Sequence, residues 1–224
     1  MADIIYETRQ RVAETGRLLF ERHLTDAAGG NVSARAGEVI CMSPRYSGSF
    51  YHWHLKPEDV LLVDLQGNKL EGKGDISREA DVHFRLLRDF PDGGSVIHAH
   101  PRNVMVFAMA KQPIHPVLEG TAKFGVVKVA RYAPSHTPEL ADFIAAEFKG
   151  QESAILKQGA AVIAPWHGLV VMGKTLDAAF DSVERIDTQA YCLLMGRFLP
   201  GMENRSHAEI SAQLNYDSEH YRIP

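Results

Sequence analysis

Apolar residues recur at helical spacing from the start of the chain. Ile5, Val12 and Leu19 stand seven apart, with Gly16 and Phe20 on the same stripe, which predicts a helix over 3–24. A turn with the pair Gly29-Gly30 follows. Short apolar or alternating runs then predict strands at 32–35, 39–43 and 60–65, with a hairpin turn at Gly67-Asn68. From Ser77 to Phe90, Val82, Leu86 and Phe90 share one helical stripe, which Pro91 and Gly93-Gly94 end. A strand is predicted at 95–100, closed by Pro101. Thr137-Pro138-Glu139 reads as N-cap, first-position proline and first-turn acid, opening a helix that turns Leu140, Phe143, Ile144 and Phe148 inward. Strands at 160–164 and 169–172 flank Trp166-His167-Gly168, and Thr175 caps a long helix with Leu176, Phe180, Val183 and Ile186 on its core face. The stretch 201–224 is polar and predicts an irregular tail.

This order predicts helices around a mostly antiparallel or mixed sheet. It lacks the regular βαβ repeat of a doubly wound fold, and no glycine-rich phosphate loop follows a strand. The 224 residues suffice for one domain, here residues 1–200, followed by the tail 201–224. A net charge of −4 with no basic block argues against a nucleic-acid partner. The longest apolar run, Val104 to Ala110, is far short of the roughly 20 residues that span a bilayer. The polar N-terminus has no apolar signal segment, and two cysteines, Cys41 and Cys192, make no disulfide framework. The expectation is a cytoplasmic protein with no membrane partner.

The eleven histidines change the picture. His98 and His100 flank Ala99 on a predicted strand, where residues two apart share a face and can project two imidazoles side by side. Taken alone, this pair fits two ligands of one metal ion, and equally a solvated face or core histidines bonded to backbone. His167 is the best third ligand, because it sits in a sharp turn at a strand end. Three neutral imidazoles leave open positions on a divalent ion, as catalytic sites do. Zinc suits three nitrogens best, and Mn, Co or Ni are compatible with the ligand type. Glu79, near the start of the 77–90 helix, lies on the side of Val82, His83 and Leu86. It reads as a fourth member of the site or as a first-turn acid complementing the helix dipole.

The segments Gly30-Asn31-Val32-Ser33-Ala34-Arg35, Ser77-Arg78-Glu79, His98-Ala99-His100 and His167-Gly168-Leu169 occur in order, with Glu79 19 residues ahead of His98. On these motifs the chain resembles the class II aldolase/adducin family over about residues 5–197. That family includes fuculose-1-phosphate and rhamnulose-1-phosphate aldolases and ribulose-phosphate 4-epimerase. The resemblance implies a three-layer α/β/α fold with a central, mainly antiparallel sheet. It implies one zinc-like ion held by His98, His100 and His167, and homotetramers with sites at subunit interfaces. It also implies a metal-dependent lyase, foremost an aldolase cleaving a phosphorylated or acidic ketose through an enediolate stabilised by the ion. Glu79 would carry protons, its pKa raised by desolvation. The alternatives are a decarboxylase of a β-keto or aromatic acid, and a non-catalytic adducin-like module. The intact histidines speak against the last.

The substrate loops depart from those of the sugar-phosphate aldolases. Here they read Ala28-Gly29-Gly30-Asn31, Ser43-Pro44-Arg45 and Ser77-Arg78. Asn31, Ser43 and Ser77 remain as candidates to bind a small anionic substrate. Arg45 and Arg78 replace hydroxyls and suit carboxylate as well as phosphate, unless they face solvent. An aromatic loop around Phe50–His54 could cover a flat substrate or meet a neighbouring subunit. The place of the acid tyrosine that sugar-phosphate aldolases take from a neighbouring subunit falls near Val117-Leu118-Glu119, which has none; Tyr216 and Tyr221 in the tail are the candidates for the C-terminal tyrosine.

Overall fold

The computed structural model describes the chain from residue 2 to residue 220, and side chains from residue 3 to residue 215. The described strands are β1 (Asn31–Ala36), β2 (Val39–Met42), β3 (Leu61–Val63), β4 (Lys69–Glu71), β5 (Ser95–Ala99), β6 (Lys128–Val129), β7 (Ala160–Ala164) and β8 (Gly168–Gly173). They form one sheet in the order β4-β3-β2-β1-β5-β8-β7-β6. Neighbours are antiparallel except β6 and β7, which are parallel, so the sheet is mixed where the resemblance implied a mainly antiparallel one. The parallel pair follows from connectivity. The chain crosses from β6 to β7 through helices α5 (Pro138–Phe148) and α6 (Glu152–Lys157), as a parallel pair requires.

Helices cover both faces of the sheet. Successive strand side chains point opposite ways, so β5 turns Ile97 and Ala99 to one face and Val96 to the other. On the first face pack α1 (Ala2–Glu21), α3 (Arg102–Ala110) and α7 (Leu176–Gly196), through Val12, Leu19, Val104, Val183 and Ile186. On the second pack α2 (Ala80–Asp89) and α5, through Val82, Leu86, Ile144 and Phe148. The predicted caps are in place. Thr137 accepts the Leu140 N–H at 3.4 Å and Thr175 accepts the Ala178 N–H at 3.2 Å.

The sequence reading places no helix at 102–110, 119–122 or 207–220. The apolar run at 104–110 is part of helix α3, whose first N–H groups, those of Asn103 and Val104, donate to the buried Asp187 carboxylate of α7. That cap is tertiary and has no local signature. The short helix α4 (Glu119–Ala122) occupies the Val117–Glu119 stretch. The irregular tail instead contains α8 (His207–His220), started by a capping box. Ser206 N–H donates to Glu209 Oε2 at 2.7 Å, and Glu209 N–H donates to Ser206 Oγ at 3.2 Å. Tyr221 and the side chain of Tyr216 lie outside the described residues. Among those residues no helix is long and apolar enough to cross a membrane.

Candidate metal centre and adjoining cleft

The three central strands meet at one end of the sheet. There β1 begins at Asn31, β5 ends at Ala99, and the turn Pro165-Trp166-His167 links β7 to β8. Asn31 lies opposite His98 in the β1–β5 ladder, and His98 lies opposite Val170 in the β5–β8 ladder. His100 follows the strand end, held between it and the Pro101 cap of α3. Trp166 takes a left-handed conformation (φ 58°), and the turn closes with His167 N–H donating to Ala164 O at 3.1 Å. Two glycines make room for the rings. A Cβ on Gly29 would stand 2.4 Å from His100 Cε1, and one on Gly168 would stand 2.9 Å from His98 Cε1.

His98, His100 and His167 offer one nitrogen each, and these atoms all lie within 4.8 Å of one another. The Nε2 atoms of His98 and His100 are 3.3 Å apart. Ligand atoms in a tetrahedral zinc site, with Zn–N of about 2.0–2.1 Å, are separated by about 3.3 Å. Each ring is held from behind. His98 Nδ1 lies 3.1 Å from the Leu169 carbonyl, His100 Nδ1 3.2 Å from Asp26 Oδ1, and His167 Nδ1 3.5 Å from Ser135 Oγ. Such outer partners fix the tautomer that presents Nε2. Asp26 is itself steadied by donating N–H groups of Ala28 and Gly29 at 2.8 and 3.1 Å.

Glu79 is the N-cap of α2 rather than a residue inside it, because the helix begins at Ala80 and not at Ser77. Its side chain makes no cap bond, which leaves the carboxylate for the site. Oε1 lies 2.9 Å from His167 Nε2 and Oε2 lies 3.2 Å from His98 Nε2. Burial pushes the Glu79 pKa up, but the hydrogen bonds from His167 and His98 outweigh it. The carboxyl is held well below the usual range, against the raised value expected from desolvation alone. Burial also works against charge on His98, yet Glu79 outweighs it and raises that pKa. Burial, aided by neighbouring His98, lowers His100 to about 4.

A cleft of about 100 Å³ adjoins the triad, lined by Gly29, Asn31, Arg45, Ser77, Arg78, Glu79 and His136 among others. Asn31 Nδ2 donates to Ser77 Oγ at 3.1 Å, and Asn31 Oδ1 and Arg45 Nε are buried without partners among the described residues. Arg78 is exposed at the cleft's edge. Ser43 does not line it: its Oγ is fully buried and accepts the Val32 N–H at 3.0 Å, a bond between β2's end and β1. The aromatic loop divides. Trp53 is 0% exposed, packs on Gly16 and Gly30, and donates to the Asp26 carbonyl at 3.0 Å. Phe50 is 72% exposed and lies 4.7 Å from the Tyr46 ring, over which the Arg45 guanidinium sits at 4.6 Å.

Sequence reasoning missed His136 and Asp26. His136 sits on left-handed backbone (φ 67°) before α5, with Nε2 3.6 Å from Glu79 Oε1. No spacing rule reaches across to it; its only local signal was a histidine just ahead of a strong helix start.

The three-layer fold with histidines and a carboxylate at the end of its central strands defines a class of protein. The chain belongs to the family described as Class II Aldolase and Adducin N-terminal domain, which it matches over residues 10–194. It is 29% identical over 172 residues to the L-fuculose phosphate aldolase of Methanococcus maripaludis, covering 76% of this chain and 87% of that one. It is 35% identical over 119 residues to the 3,4-dihydroxyphthalate decarboxylase of Arthrobacter keyseri, and that match spans 49% of this chain and 47% of that enzyme. A solved L-fuculose 1-phosphate aldolase superposes with a TM-score of 0.74 at 27% identity, covering 93% of this chain and 96% of that one.

Proposed function

We propose that the protein is a metal-dependent carbon–carbon lyase for a small anionic substrate, foremost an aldolase cleaving a phosphorylated or acidic ketose. The convergence of three imidazole nitrogens, Glu79 and a cleft carrying Arg45 carries this reading. His98, His100 and His167 would hold one divalent ion, zinc ahead of Mn, Co or Ni. When bound, such an ion supplies Lewis acidity for negative charge left on oxygen as the carbon–carbon bond breaks. Glu79 stands beside that place and holds or returns the proton of the reacting carbon. Asn31, Ser77, Arg45 and Arg78 orient the substrate's anionic group, and His136 closes the same cleft. Ser43 supports the β1 backbone instead of touching substrate.

A second reading is decarboxylation of a β-keto or aromatic acid. Two arginines in place of hydroxyls, beside the exposed Tyr46–Phe50 pair, favour a carboxylate on a flat body. The relative from Arthrobacter keyseri lends it weight. Assaying sugar phosphates against β-keto and aromatic acids, with and without added Zn2+, separates the two by carbonyl product or CO2 release. Absence of both activities in the zinc-loaded protein overturns the proposal.

The proposal includes a homotetramer with sites near subunit interfaces. Exposed Met109, Tyr132, Trp166, Phe198 and Leu199 are apolar surface that partner copies would cover. Light scattering that finds an active monomer removes this part. We also propose one catalytic domain over residues 1–200, to which α8 is appended, and a cytoplasmic location, with which the free Cys41 and Cys192 agree.

A further inference from the structure

Helix α2 is fastened to the sheet by a column of polar pairs. The face of β1 beneath it carries Asn31, Ser33 and Arg35, two residues apart. Asn31 Nδ2 donates to Ser77 Oγ at 3.1 Å, Ser33 Oγ meets His83 Nδ1 at 2.7 Å, and Arg35 donates to the carbonyls of Leu87 and Gly93. The repeats match. Four helical residues rise about 6 Å and two strand residues about 6.6 Å. Glu79, the N-cap of α2, stands four residues ahead of His83, so the Ser33–His83 rung lies about one helical turn along β1 from the carboxylate, and the Asn31–Ser77 rung ties the chain just before it. Asn31 in turn lies opposite His98. The column thus registers α2, and Glu79 with it, against the histidines.

The middle rung is the unusual one. His83 is 0% exposed, and its Nε2 is buried with no hydrogen-bond partner among the described residues. An apolar side chain would fill the same space with no unmet polar atom. What only the imidazole supplies is the bond to Ser33. The first turn of α2 needs such a tie, because Glu79 gives it no side-chain cap.

We infer that His83, through Ser33, is a positioning residue that sets the height and rotation of the first turn of α2 and so aims the Glu79 carboxylate at His98 and His167. The effect on turnover rests on the proposed role of Glu79; the effect on geometry does not.

The test compares His83→Leu, Ser33→Ala and His83→Asn with the parent protein, as metal-free crystal structures, by Zn2+ uptake and by turnover. Asparagine keeps a polar group at the place of Nδ1. Loss of the rung should move the Glu79 carboxylate away from its 3.2 and 2.9 Å contacts in His83→Leu and Ser33→Ala, and His83→Asn should bring it back. Zn2+ stoichiometry should stay at the parent's value. A displaced carboxylate should lower kcat about tenfold with little change in KM, since misplacement of order 1 Å can cost up to about 10²-fold. In a Glu79→Gln background Ser33→Ala should then cost nothing further, because it acts through the missing carboxylate. Should His83→Leu not fold, the milder Ser33→Ala removes the same bond. Glu79 unmoved in the folded variants, or an equal extra loss in the Glu79→Gln background, overturns the inference. If the parent binds no Zn2+, the reading of the site falls, while the metal-free structures still decide the positioning.

Discussion

The Nε2 atoms of His98 and His100 face each other at 3.3 Å while Nδ1 of each ring is engaged behind, by the Leu169 carbonyl and the Asp26 carboxylate. In this structure His98 Nε2 also meets Glu79 Oε2 at 3.2 Å; once its proton is given up and both rings keep theirs on Nδ1, two lone pairs point at one place. A cation there relieves their repulsion, and His167 completes the set. We expect one divalent ion per chain. Ala in place of His98, His100 or His167 should abolish tight uptake and turnover while the circular dichroism spectrum stays that of the parent. Metal analysis of the purified variants decides it; full stoichiometry in any of the three removes that residue from the ligand set.

Glu79→Gln should separate metal binding from chemistry. The change keeps size and a polar tip but no transferable proton at neutral pH, and it leaves the three imidazoles in place. Metal content should match the parent's, and kcat should fall by about 10²–10⁴-fold, the usual worth of a general acid–base group. Turnover near the parent's rate would mean that another group, with His136 at 3.6 Å from the carboxylate the nearest alternative, moves the proton.

His83 ties stability to pH. Burial, with His98 adding to it and Glu79 opposing, lowers its folded-state pKa to about 3 from the ordinary 6.5. Between these values the unfolded chain binds a proton that the folded chain does not. The contribution is therefore intact above pH 6.5 and is lost progressively as pH falls toward 3, by about 1.4 kcal/mol per pH unit for one proton. Urea denaturation of the metal-free protein from pH 7 to 4, parent against His83→Leu, isolates the effect. The parent's stability should drop more steeply than the variant's. Parallel curves would show that His83 takes up its proton without penalty.

What the sequence made legible were features written in local spacing. The His98–Ala99–His100 alternation, the strand-end His167 and the Thr137 and Thr175 caps each follow from a few adjacent residues. What it hid is set by distant parts of the chain. Asp187 starts α3 from α7, His136 reaches Glu79 from the loop before α5, and the lowered pKa of Glu79 depends on two imidazoles that only folding brings near. Ser43 is a candidate substrate donor in the sequence because its place matches a substrate loop of the family it resembles. The β1 backbone N–H that takes its Oγ is visible only once β1 and β2 are paired. The capping box Ser206-His207-Ala208-Glu209 was a local signal overlooked under the polar character of the tail.

The cleft's cationic side is where the proposed anionic substrate would be held. Arg45 brings to it a buried Nε with no partner among the described residues, its guanidinium steadied over the Tyr46 ring at 4.6 Å. A hydrogen bond to a charged group contributes about 1.5–3 kcal/mol, so Arg45→Ala should raise KM by about 10–150-fold. It should lower kcat only if the anchor also aligns the reacting bond. Arg78 is exposed at the edge, where solvent weakens an ion pair, so Arg78→Ala should have the smaller effect. Inhibition separates the two enzyme readings. An aldolase with a phosphate anchor should be inhibited competitively by inorganic phosphate or sulfate, and Arg45→Ala should relieve that inhibition. A decarboxylase should instead prefer dicarboxylates of matching span. If no anion competes and Arg45→Ala leaves KM unchanged, the arginines do not hold the substrate, and the substrate that enters beside Glu79 is neutral.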